Sequence, residues 1–258
     1  MLSKRVGTYT LLAVTLVLII AYPILPRIPQ PQSYHNFADH RPWFGIANFG
    51  DVASNLLFAI FGVWGLLFLA SKSSNAKFLE QRERWPYWLI FLGMLWTAFG
   101  SGYYHLAPSN ARLVWDRLPM TVVFMPLVAA MIMERVSVTW GLRLLPVLLA
   151  VGVGSVIQWN LSELRGAGDL RFYGAVQLYS VLAVLILFFV PSRYTRNSDI
   201  GWVIVFYVLA KILETADRAI FDLGRIVSGH TLKHLAAGMS GYFILRMLRK
   251  REPAHQAA

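Results

Sequence analysis

The sequence predicts an all-α fold: a polytopic transmembrane helical bundle with a seven-helix core and one extra helix at the N-terminus. Three observations carry that expectation. Of 258 residues, 57% are hydrophobic and 14% charged, against roughly 25% charged in a soluble domain. The 16 Phe, 9 Trp and 11 Tyr would leave large apolar areas facing water if the chain packed around one soluble core. Apolar runs of about 17 to 23 residues, long enough to cross a bilayer as helices, recur along the whole chain.

In order, the runs lie at 8–25, 48–70, 86–106, 118–134, 140–158, 171–190, 201–222 and 229–248. The first follows Lys4 and Arg5 in the manner of a signal peptide. No small-x-small cleavage site precedes the Pro-rich stretch from Pro23 to Pro31, so it reads as an uncleaved anchor. Residues 1–47 thus comprise an anchor and a Pro/aromatic loop ending in FADHRPWFGIAN, 48–248 the core, and 249–258 a basic tail. Trp43, Trp85, Trp88, Trp115, Trp140, Trp159 and Trp202 stand mostly at run ends, where interfacial anchors belong.

Eight spans return both termini to one side. That side collects 14 Lys and Arg near span ends and the other collects 8, so the positive-inside rule places both termini in the cytoplasm. The net charge of +11 is dispersed among apolar runs, unlike the basic stripe of a nucleic-acid binder. No obligate protein partner is evident. Without cysteine there is no disulfide framework, thiolate metal site or cysteine nucleophile, and a metal must use His, Asp or Glu.

Chemistry is expected where polar residues enter the spans, because ionisable groups at membrane depth are expensive. The last span opens with His230-Thr-Leu-Lys-His234. A spacing of four puts both imidazoles on one helix face, as two ligands of one metal or as a pair of structural histidines. Ser101 and His105 share a face at the outer end of the third span, and Asp116 opens the fourth. The topology brings His105, His230 and His234 to one depth. Three imidazoles leave a fourth tetrahedral position open, the pattern of a catalytic zinc. Asp116 is then either a helix N-cap or the acceptor of a proton from bound water, and Ser101 a packing residue or a donor to a developing oxyanion.

Asn48, Asp51 and Asn55 form an i, i+3, i+7 stripe, read as support for the metal, an ion site or a polar face. In the seventh span Lys211, Glu214, Asp217 and Arg218 are spaced for a self-neutralising network; a role in orienting a ligand histidine, binding a lipid head or relaying ions is the alternative. Lys233 points to another face than the two histidines, with Asp217 as an available partner. His35, His40 and His255 fall in a loop or the tail and are given no role.

GSGYYH, Asp116 eleven residues after His105 in DRLPM, and HTLKHLAAGMSGY with Gly238 and Tyr242 together resemble the alkaline ceramidases. Those enzymes sit in a superfamily of seven-helix membrane hydrolases that includes the adiponectin-receptor-like proteins. The resemblance spans about residues 48–248, and Ser54-Asn55 matches an SN pair in the family's first core helix. It implies zinc on His105, His230 and His234, Asp116 as general base or acid, and Ser101 as oxyanion stabiliser. It further implies an amidase that cleaves ceramide-type N-acyl lipids drawn from the membrane into fatty acid and sphingoid-type amine, with the active site towards the outer face. The family's calcium site has Glu where this chain has Asn48; Asp39 and Asp51 are the residues available to substitute. A zinc-containing lipid sensor without hydrolase activity, a hydrolase of another acyl lipid, and a transporter using the Lys211 to Asp217 charges are the competing functions.

The charge asymmetry makes a direct prediction. A tag at Ala258 is protected from external protease in sealed membranes, whereas a tag in the loop near Gly168 is cleaved; the reverse pattern would invert the topology.

Overall fold

The protein is described here from a computed structural model over residues 1–254; His255 and Ala258 lie outside the described residues. Among the described residues the fold is all-helical, with ten α-helices. They are α1 Lys4–Ile24, α2 Phe49–Ala53, α3 Leu56–Ala70, α4 Trp85–Leu106, α5 Asn110–Arg135, α6 Val138–Leu164, α7 Arg171–Phe188, α8 Asn197–Thr215, α9 Asp217–Asp222 and α10 Gly229–Lys250. Five stretches are long and apolar enough to cross a membrane: α1, the α2–α3 segment, α5, α6 and α7. The long helices outside that set, α4, α8 and α10, carry Ser101, His105, Lys211, Glu214, His230, Lys233 and His234.

Four helices begin in the same way. Ser3, Ser109, Ser137 and Ser228 adopt extended backbone and accept a hydrogen bond from the amide three residues on, in α1, α5, α6 and α10 respectively. Each satisfies one of the amides that a helix start leaves without a partner. Ser109 corrects one expectation. The helix starts at Asn110 rather than near residue 118, so Asp116 lies inside α5 and is not its N-cap.

Two expected spans are broken. The 48–70 run splits at Ser54 and Asn55, whose Oγ and Nδ2 both donate to the Asp51 carbonyl, at 3.1 and 2.7 Å. Side chains that compete for helix carbonyls in this way disturb the regular ladder. The 201–222 run splits at Ala216, between α8 and α9. The acidic residue just past that break, Asp217, bonds outside its own helix, as described below.

The bundle is built by α4 against α3 and α5, α5 against α6, and α10 against α8 and α3, while α1 packs mainly on α7. Ile90, Phe91, Met125, Met131, Met133, Leu245 and Leu248 fill the core. The end of α1 is held by Arg171, which reaches the Tyr22 carbonyl at 3.0 Å while paired with Asp169 at 2.7 Å. That guanidinium holds the Asp169 carboxyl below the usual carboxylate range.

The end of the bundle away from the histidines is closed by Arg251, a residue counted on sequence as part of a basic flank. It is fully buried. Its guanidinium lies 2.5 Å from Glu134 and covers the rings of Tyr194, Phe78 and Tyr87 with centroids at 4.0, 4.3 and 5.2 Å. Trp159, expected at an interface, is likewise fully buried. Removing one partner of a buried charge pair typically costs about 3–5 kcal/mol because the other is left uncompensated. Arg251→Met is therefore expected to lower the midpoint of thermal unfolding in detergent clearly, and Arg249→Met, an exposed neighbour, to leave it almost unchanged.

Candidate metal centre

The three histidines come from helix ends that approach closely. His105 is in the last turn of α4, and His230 and His234 are in the first two turns of α10. Two glycines permit the approach. A Cβ on Gly100 would collide with the Trp115 carbonyl of α5, and one on Gly229 with the Leu213 carbonyl of α8.

His105, His230 and His234 are 1%, 4% and 3% exposed. Their ligand atoms all lie within 4.8 Å of one another, and their ring centroids are 4.8 to 4.9 Å apart. His105 Nε2 stands 3.3 Å from His230 Nε2. Two nitrogens bound at about 2.05 Å and subtending a tetrahedral angle are separated by roughly 3.3 Å. The group could hold a metal ion, and it is the one group of three or more His, Cys, Asp or Glu with converging atoms found among the described residues.

The orientation of His234 fits the same purpose. The Ser54 hydroxyl donates to the Asp51 carbonyl and lies 2.9 Å from His234 Nδ1. With its proton committed, Ser54 accepts from Nδ1–H, which leaves the Nε2 lone pair free for a metal. The α4 end is fixed by Asn48, whose Nδ2 donates at 2.7 Å to the His105 carbonyl, one of the carbonyls that a helix end leaves without a partner. Asn48 itself sits in the left-handed region at φ 49°, which Asn tolerates better than most residues. His105 Nδ1 is buried without a partner.

Ser101, one turn before His105, is 1% exposed and lies where α4 meets α5, next to the Gly100–Trp115 contact. Asp116 is buried in α5, one residue after Trp115, whose carbonyl faces Gly100 of α4.

The loop before α2 folds over the centre. Phe37 is 4% exposed, and its ring centroid lies 4.7 Å from that of His105 and 4.3 Å from that of His230. Three contacts hold this loop. The Ala38 amide donates to Asp217 Oδ2 at 2.9 Å. His35 meets the Tyr104 hydroxyl and Asn110 Oδ1, both at 2.8 Å. Arg41 pairs with Asp39 at 2.7 Å and reaches the Ile226 carbonyl. His35 and His40 are thus not free solvated groups: His40 also contacts Asn48 Oδ1 at 3.1 Å. A cavity of about 230 Å³, lined among others by Tyr34, Asn36, Phe37, Glu214, Asp217 and His230, opens beside this cover.

Of the network expected in the seventh span, the Lys211–Glu214 pair forms and a Glu214–Arg218 pair does not among the described residues. Glu214 pairs with Lys211 and, at 3.3 Å, with Lys233; Arg218 forms no ion pair among the described residues. Asp217 neutralises no neighbouring lysine. Its Oδ1 accepts from the His230 amide at 2.8 Å, capping α10 from outside. Lys233 was expected on another face with Asp217; its Nζ instead lies 3.0 Å from His230 Nε2.

Of the four residues considered for calcium, Asp51 and Asn55 each keep one buried oxygen, Oδ2 and Oδ1, without a hydrogen-bond partner. Both Asp39 oxygens are taken by Arg41, which also holds that carboxyl below its usual range. Asn48 Oδ1 faces His40, and Asp51 Oδ1 accepts from Thr231 at 2.8 Å and Ser228 at 3.3 Å. Asn48, Asp51 and Asn55, read as a stripe near the surface, are 7%, 0% and 1% exposed. Asn48 ties α2 to α4 and Asp51 ties it to α10, while Asn55 bonds only within its own segment.

No protein-family model matches this chain, and no curated protein matches it significantly. Sequence reading missed Phe37, Tyr34, Ser54's bond to His234, and Lys233. Only Lys233 carried a signal, its i, i+3 relation to His230.

His105→Ala or His230→Ala should drop bound metal well below one per chain on elemental analysis of purified protein. Ser54→Ala, which strands the His234 Nδ1–H, should weaken metal binding about 10- to 100-fold. Full occupancy in both histidine variants would remove the site.

Proposed function

We propose that this protein is a zinc-dependent, membrane-embedded amidase of the alkaline ceramidase kind. Its substrate would be a ceramide-type N-acyl lipid and its products a fatty acid and a sphingoid-type amine. The observation that carries the proposal is the group of three buried imidazoles inside an apolar helical bundle, with Ser101 one turn before His105 and Asp116 buried on the adjoining helix α5. Metal alone would need the histidines; a sensor would have no use for a buried carboxylate on the adjoining helix. On this reading α2–α3, α4, α5, α6, α7, α8 and α10 are the seven core spans and α1 is the added one.

His105, His230 and His234 would hold zinc, which when bound polarises a carbonyl and lowers the pKa of water to about 7. Asp116 accepts the proton released as water attacks the amide carbon and returns it to the departing nitrogen, so that the amine leaves neutral. Ser101 would donate to the oxygen of the attacked carbonyl. Phe37 and its loop cover the centre on the side of the helix ends, limiting water to what the reaction consumes. The acyl chain and the sphingoid chain enter between helices from the bilayer, which presents them at the depth of the site. The surplus of basic residues at the opposite helix ends supports an extracytoplasmic position for that site.

Asp116→Asn tests the proposal cleanly, because Asp116 is not a cap and Asn preserves its shape. The variant should fold and keep its metal, while hydrolysis of N-acyl sphingoid lipid, followed by mass spectrometry of released fatty acid, falls about 100- to 10,000-fold. Ser101→Ala should retain more activity. Turnover near the parent rate in Asp116→Asn would eliminate this mechanism even with metal present.

A further inference from the structure

Lys233 is one residue before His234 and three after His230, and it lies inside the centre rather than on a solvated face. Its Nζ stands 3.0 Å from His230 Nε2 and 3.3 Å from Glu214 Oε1. An ammonium group only donates, so its contact with His230 uses the Nε2 lone pair. That nitrogen is also the one 3.3 Å from His105 Nε2, the pair whose separation suits a tetrahedral ion. An imidazole nitrogen offers one lone pair in the ring plane. The ammonium and a metal ion therefore exclude each other there.

Glu214 supplies the place to which Lys233 can retreat. Its carboxylate also holds Lys211, so it stays partnered whichever way Lys233 turns. The Lys233 and Glu214 side chains are 18% and 21% exposed, which keeps the displaced ammonium near the centre instead of releasing it to water. We infer that Lys233 is a built-in competitor for the metal: it occupies the His230 lone pair in the metal-free protein and is drawn onto Glu214 as the metal loads. Loading is an exchange of one cation for another at a single nitrogen, with Glu214 setting the balance. The inference rests on the three-histidine metal reading but not on amide hydrolysis or on topology.

The test is zinc affinity, measured by competition with a chromophoric chelator on purified protein in detergent. Parent, Lys233→Met, Lys233→Gln and Glu214→Gln are compared, with helix content and size-exclusion behaviour as the check on folding. Removing a positive charge beside a divalent ion should tighten zinc about tenfold or more in both Lys233 variants. Glu214→Gln should weaken it, because nothing then draws the ammonium off His230. A residue that merely supported the fold would weaken binding in all three. Unchanged or weaker zinc binding in a folded Lys233 variant overturns the inference, weaker binding being what a lysine ligand would give. Zinc absent from parent and variants alike overturns the metal centre itself, and the inference with it.

Discussion

The Asp217 carboxylate is the contact on which the arrangement of the site depends. One oxygen accepts from the His230 amide and the other from the Ala38 amide. A helix start presents amides without intrahelical partners. Ser228 caps α10, and Asp217 answers a second of these amides, tying the first turn that carries His230 to the α8–α9 break. By answering Ala38, the same group draws the preceding loop over the centre and seats Phe37 on two of the imidazoles. The break at Ala216 is what allows a residue of the α8–α9 segment to face α10 in this way.

Around that point the polar groups form a brace. Ser54 orients His234, Asn48 secures the end of α4, and Asp51 receives Thr231 and Ser228 from the start of α10. None of these contacts is large in energy, since a net hydrogen bond contributes about 0.5–1.5 kcal/mol. Their value lies in geometry, because each leaves an imidazole or a helix end with one available direction. The opposite end of the bundle uses a different device, a buried arginine between a carboxylate and three aromatic rings. There, charge and ring faces close the bundle; at the histidine end, neutral donors and acceptors hold a set of lone pairs ready.

The helical architecture was legible because burial in lipid demands long apolar runs, and residues such as Phe91 and Met131 announce it by composition. The histidine trio was legible because ionisable groups stand out against that background. The interruptions were not. Ser54 and Asn55 look like ordinary small polar residues of a span until their side chains are seen to take the Asp51 carbonyl. Ser109 overtook Asp116 as the cap of α5, since a Ser in extended backbone before a helical run competes well with a carboxylate seven residues on. Phe37, Tyr34 and His35 lie in a loop without periodicity, so nothing local marked them as the cover of the site.

By itself the sequence determined the helical class, the chemical types available at the centre and the pairing of His230 with His234, because these follow from composition and from a spacing of four on one helix. Tertiary structure alone decided that Asp217 serves α10 instead of a lysine and that Lys233 shares a nitrogen with the candidate metal. Each of those depends on how closely helix ends from distant parts of the chain approach, at Gly100 and Gly229. Side-chain directions across such contacts are set by packing between helices, which no periodicity within one helix encodes.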